Sequence, residues 1–325
     1  MNSAFPLPNR HLDTLEQPEW PRRVEAWRKL LSECGRKPSR KRVHGLRVAT
    51  LRLQAEVENW LRPQGAENAE VRKARRWVKQ ADKLREALGP VREVDVFMAK
   101  LDRLRGMVSG PNEGQSRLSR VCLRQISTLE RRFAQRRKAA TKELVSEIAS
   151  RRDRLARGSN EIEVVLGQEA PQGAGSGTSR VGELIAGLAA EFPELDGERL
   201  HEFRKRIKMV RYLAEPVAAA NAEMRKQVAA LKRMQSAAGE WHDFQALSKK
   251  AARTFRGRHK EGGLAELLNT LAEESLEKAL ELCRRTMARL QKESAGDDAA
   301  PNLPRHKIPA QGIELLADVE KRRTA

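Results

Sequence analysis

The segment LHEFRKRIKMVRYLAEP, residues 200–216, carries apolar side chains at Leu200, Phe203, Ile207, Val210 and Ala214, with Val217 just beyond. Steps of three and four residues put this set on one side of a helix that turns about 100° per residue. His201, Arg204, Lys205, Lys208 and Arg211 fall on the opposite side. An earlier segment, VHGLRVATLRLQAEV at 43–57, repeats the plan. Val43, Leu46, Leu53, Val57 and Trp60 form its apolar face, while Arg40, His44 and Arg47 lie opposite, with Arg52 downstream. Each copy reads apolar residue, His, two residues, Arg. An internal repeat of this kind implies two copies of one helical unit, each burying one face and presenting cations on the other.

The cations are not balanced by acids. Arg36–Arg52 holds seven Lys/Arg and no Asp or Glu, and His201–Tyr212 holds five bases against Glu202 alone. A solvated helix face normally interleaves the two signs, because like charges at i,i+4 destabilise the helix. An anion that offsets the repulsion accounts for these faces better than an idle surface. The whole chain carries 64 Lys+Arg against 44 Asp+Glu, a formal net charge of +20. Such an excess calls for a polyanionic partner: nucleic acid, an acidic membrane surface or a phosphate polymer.

The same periodicity covers most of the 325 residues. Charged residues make up 33% and aromatics only 4%, so cores must be filled by Leu, Val, Ile and Ala, which favours helices. Expected helices run over Leu15–Cys34, Arg40–Leu61 with Ser39 as N-cap, and Ala66–Leu88, which Gly89–Pro90 ends. A fourth fades at Gly106; Ser109–Ser116 is a loop; Arg117–Arg157 is a long charged helix. Gly158–Ser179 contains QEAPQGAGSGTS and reads as a linker. Helix resumes near Val181, breaks around Pro193–Gly197 and continues over Leu200–Ala222, Ala229–Ala238, Trp241–Thr254 and Leu264–Glu293. The expected organisation is a first helical half over 1–157, a linker over 158–179, a second half over 180–293 and a loosely ordered tail over 294–325, with a short helix at Ile313–Lys321. Ile162–Leu166 is the best strand candidate, and the fold class is all-α.

Three scattered cysteines, Cys34, Cys122 and Cys283, form neither a disulfide framework nor a CxxC metal site, which indicates a reducing, cytoplasmic setting. No signal-peptide pattern or membrane-length apolar run is present. The apolar faces have the size of ordinary bundle cores, so no membrane partner is expected. Without HExxH, a Gly-rich phosphate loop or paired acids, no enzyme activity, cofactor or metal is expected.

The paired His-x-x-Arg helices resemble the CHAD domain, the conserved histidine α-helical domain. The family's second-copy pattern of His, Arg three later, Lys seven later and Arg-Tyr at ten and eleven is matched by His201, Arg204, Lys208, Arg211 and Tyr212. A following signature, Gly then an Arg-Asp-x-Asp-like run, is similar to Gly89, Arg92, Glu93 and Asp95 in the first copy and to Gly239, His242 and Asp243 in the second. Leu51 and Gln54 stand where cations are expected, Met209 where Arg is common, and Gln245 in place of the second Asp. The resemblance covers about Leu15–Leu290. It implies two pseudo-symmetric helical bundles with a basic groove between them, and non-catalytic binding of inorganic polyphosphate with localisation to polyphosphate granules. The residues it implies are Arg40, His44, Arg47, Arg52, His201, Arg204, Lys205, Lys208, Arg211, Tyr212 and His242, joined from adjoining helices by Lys83, Arg92, Lys232 and Arg233. Arginine grips phosphate oxygens bidentately, lysine acts as a mobile charge, and histidine adds a donor favoured beside an anion. General nucleic-acid or polyanion binding is the alternative. The charge serves it equally, but single-strand binders stack bases on aromatics, and Tyr212 is nearly alone on these faces.

Overall fold

The computed structural model describes residues 20–61, 64, 67–109, 117–167, 177–191, 195–256 and 263–296. Among these residues there are eight α-helices and no strand, in keeping with the all-α expectation. They are α1 Trp20–Arg36, α2 Arg40–Leu61, α3 Ala69–Val108, α4 Arg117–Gly167, α5 Gly177–Glu191, α6 Leu200–Ala220, α7 Ala222–Phe255 and α8 Leu264–Gly296.

Side-chain caps start several of them. Ser39 accepts the Arg42 N–H at 3.3 Å, Asn68 the Val71 N–H at 2.8 Å, and Asn221 the Met224 N–H at 3.0 Å. Each satisfies one of the donors that a first turn leaves without a partner.

Three expected breaks are absent. The helices read separately on either side of Gly89–Pro90 form the single 40-residue α3. Pro90 is exposed, where water can take the carbonyl that the missing N–H releases. Gly239 likewise lies inside α7, which fuses Ala229–Ala238 with Trp241–Thr254. Third, α4 runs for 51 residues to Gly167. The first ten residues read as linker are therefore helical, and Ile162–Leu166 is helix, not strand, with Ile162 and Val165 fully buried. Gly158 is glycine for a packing reason: a Cβ there would lie 3.1 Å from Cδ1 of the buried Trp77. The segment 168–176 and the tail from 297, including Ile313–Lys321, lie outside the described residues.

The long pair α3/α4 runs antiparallel. Ion pairs join Arg76 to Glu161, Asp95 to Arg137 and Arg105 to Glu130, one number falling as the other rises. One core collects Trp27, Leu46, Trp77 and Leu144 from α1, α2 and adjoining ends of α3 and α4. A second collects Ile185, Phe203, Leu231 and Cys283 from α5 to α8. The remaining ends of both long pairs meet in a third, where Phe97, Leu101 and Phe133 pack with Phe244, Leu247 and Leu268. A fourth, smaller cluster joins Leu51 and Ala55 of α2 to Tyr212 and Leu213 of α6. Among the described residues, those up to Gly167 and those from Gly177 onward thus share two apolar clusters.

Candidate functional site

The α2–α6 contact fixes the position of the cations. Arg47 lies one turn before Leu51 on α2, and Lys208 one turn before Tyr212 on α6. Both helices therefore bring a cation to the same place, just off the apolar contact. The helix α3 adds Arg85 and Arg92, and α7 adds His242 and Asp243.

Lys208 feels Arg47 and Arg85 from the first half and Arg204 and Arg211 from its own helix. Burial, reinforced by these four positive neighbours, pushes its ammonium down to about 6. Among the described residues no carboxylate is paired with it. Burial pushes the Arg47 guanidinium down to about 10, with Arg85, Arg92 and Arg204 acting in the same direction. His44, at the exposed mouth, is held below the usual histidine range by burial, then by Arg92, Arg47, Lys208 and Arg40.

A second group of side chains adjoins these. The His201 and His242 rings sit with centroids 4.7 Å apart. His242 is pushed down to about 4 by burial, then by Arg204 and His201, so it is neutral at pH 7. Asp243 is the carboxylate that faces Arg92, Arg204 and Lys100, and burial raises its pKa despite them. Arg204 lies against Gly239, its Nε 3.6 Å from where a Cβ would stand. That Nε is buried and has no hydrogen-bond partner among the described residues. A buried donor left in this state costs free energy that an incoming acceptor would recover.

Other candidate residues are held by neighbouring side chains or lie apart from the cluster. Arg52 pairs with Glu215 at 2.6 Å, and Arg211 donates to Glu215 at 2.6 Å and to Gln235 at 2.8 Å. Tyr212 is 3% exposed, with the Arg211 guanidinium 4.2 Å from its ring centre. Lys205 pairs with Glu202 at 2.8 Å on the surface. Lys83, Lys232 and Arg233 are exposed, and none of them is among the charges that act on the buried cations.

Three participants escaped the sequence reading. Arg85 is held by Gln54 at 2.9 Å and Asp82 at 2.8 Å, while its carbonyl accepts from Arg47 at 2.9 Å. Lys100 donates to Glu240 at 3.1 Å and stands 4.2 Å over the Phe244 ring. Asp243 belongs to the second signature, and only the packing of α7 against Arg92, Arg204 and Lys100 brings it to these cations. A signal for Arg85 existed: it precedes Arg92 by seven residues, the same face of one helix. Ending that helix at Gly89–Pro90 concealed it.

A sequence model described as the CHAD domain matches residues 19–252. The chain belongs to the CHAD domain family. No curated protein and no solved structure matches it. The CHAD match takes in α1 to α6 and nearly all of α7, hence every cation around Lys208. It stops short of α8, which nonetheless supplies Ala279, Cys283, Met287 and Leu290 to the second core. Among the described residues of this CHAD protein, no group of three or more His, Cys, Asp or Glu could hold a metal ion. No described helix is long and apolar enough to cross a membrane.

Proposed function

We propose that this CHAD protein binds inorganic polyphosphate, without catalysis, in a basic groove formed where α2 and α3 of the first half face α6 and α7 of the second. The family is associated with polyphosphate binding. The observation that carries the reading is the environment of Lys208, a buried amine facing four guanidinium groups with no paired carboxylate among the described residues. Concentrating like charge at a semi-buried point costs stability, and a ligand of dense, repeating negative charge removes that cost. The buried Arg204 Nε offers such a ligand a ready donor. Contributions from both halves make one site, with the two His-bearing helices as related halves of a repeat. A soluble protein of this kind would act in the cytoplasm and associate with polyphosphate granules.

Nucleic acid is less well served. Tyr212 is buried and faced by arginine, so no base can stack on it. The test is binding of labelled long-chain polyphosphate at near-physiological salt, competed with equal phosphate as DNA, RNA and orthophosphate. Polyphosphate is expected to win by orders of magnitude, and Arg204→Ala/Lys208→Ala to lose most of that affinity. Equal competition by RNA or DNA per phosphate would make the protein a general polyanion binder.

A further inference from the structure

The outer face of α4 carries a second arrangement of cations that the groove does not use. Its core-facing residues are Cys122, Ile126, Leu129, Phe133, Ala140 and Leu144. At about 100° per residue, Arg120, Arg124, Arg131, Lys138 and Lys142 fall within a narrow strip on the opposite side. All five are exposed. Spaced four, seven, seven and four residues apart, they form a straight line about 33 Å long at 1.5 Å per residue. None is in an ion pair among the described residues, although nearby Arg136 and Arg137, turned towards α3, pair with Glu93 and Asp95.

Every position between the five on that strip is neutral and small or polar. Ser127 and Thr128 turn their hydroxyls back onto the Leu123 and Arg124 carbonyls at 3.0 and 2.9 Å, leaving a shallow hollow between Arg124 and Arg131. The strip therefore offers positive charge with nothing protruding. An acidic bilayer would want a row of exposed apolar side chains to insert, and the face offers only the half-buried Leu123 at the edge of the hollow. Single-stranded nucleic acid would want aromatics, also absent. A duplex winds its backbones away from a straight line of charge, whereas an unbranched phosphate chain can follow it.

We propose that the outer face of α4 is a second binding surface for linear polyphosphate, engaged by chains long enough to extend beyond the groove. This rests on the polyphosphate reading above. A chain held in the groove raises the effective concentration of its own remainder at α4, so affinity gains with chain length without any new contact inside the groove.

The test uses the full chain carrying Arg124→Gln/Arg131→Gln/Lys138→Gln, probed with tripolyphosphate, long-chain polyphosphate and duplex RNA. Tripolyphosphate affinity is expected to match wild type. Long-chain affinity should fall about tenfold or more, with the salt slope shallower by about two, given roughly 0.7–0.9 per phosphate contact released. In an Arg204→Ala/Lys208→Ala background, residual long-chain binding should disappear when the α4 triple variant is added. Unchanged long-chain affinity in the triple variant overturns the proposal, whether or not duplex RNA binding falls. A wild-type protein that fails to bind tripolyphosphate and long chains alike sinks the groove reading instead, a distinguishable result.

Discussion

Arg52 on α2 reaches across to Glu215 on α6, its Nε 2.6 Å from one carboxylate oxygen and a terminal nitrogen 3.3 Å from the other. Glu215 also accepts from Arg211, so one acid holds two of the cations that the sequence assigns to ligand binding. The clasp sits beside the apolar contact of Leu51 and Ala55 with Tyr212 and Leu213. Its role follows from position: it ties α2 to α6 and sets the spacing of the helices that carry Arg47 and Lys208.

Glu215→Gln should therefore destabilise the protein far more than Arg52→Ala. Arg211 is 8% exposed, and removing its carboxylate leaves a buried charge uncompensated, a loss of about 3 kcal/mol. Arg52 is half-exposed and its loss should cost about 1 kcal/mol or less. Urea unfolding of the ligand-free variants measures both. Equal midpoints would mean that Glu215 does not anchor Arg211.

Much of this arrangement was legible from residues 43–57 and 200–216, because helical period and one-sided charge are both local. What was not legible depends on packing at a distance. Glu215 reads as an ordinary surface acid until α2 is placed opposite it. Gly158 and Gly239 read as helix ends, yet one is small because Trp77 leans on it and the other lies under Arg204. Pro90 was overruled in the same way, since the buried faces on either side of it continue one helix. Breaker residues mark where local preference is weak, and tertiary burial decides whether the chain actually stops.

Two glycine substitutions separate these cases. Gly158→Ala gains helix propensity but drives a methyl to 3.1 Å from Trp77, which is fully buried and has nowhere to move. Overpacking should win, with a net loss of about 1–2 kcal/mol. Gly187→Ala in α5 meets nothing within 4 Å and should stabilise by about 0.5–1 kcal/mol. Thermal melts of the pair should move in opposite directions; a stabilised Gly158→Ala would show that its helix was never tightly packed there.

Arg85→Ala should weaken polyphosphate binding as much as Arg204→Ala, by about tenfold, or near 1.4 kcal/mol. Lys83→Ala, two residues away and turned outward, should change it by less than about twofold. Direct titration with tripolyphosphate distinguishes them. A larger effect at Lys83 would place the ligand on the outer side of α3.

Lys208 links the cation cluster to pH. An unfolded lysine ammonium titrates near its ordinary value of 10.5, whereas the folded one is held at about 6. Between those values the unfolded chain binds more protons, so ligand-free stability must fall as pH drops from about 10 towards 6. Lys208→Met, which removes this penalty, should raise the ligand-free melting temperature at pH 7 by at least about 2–4 °C. It should also abolish this residue's share of the pH slope. A polyanion reverses the balance by restoring the charged form, so binding near pH 7 should take up close to one proton and tighten as pH falls from 8 towards 6. Calorimetry in buffers of different ionisation enthalpy reads that uptake directly. Lys208→Arg, charged throughout, should bind without it. Proton uptake that persists undiminished in Lys208→Arg would transfer the effect to His44, whose ring faces the same cations at the mouth of the cluster.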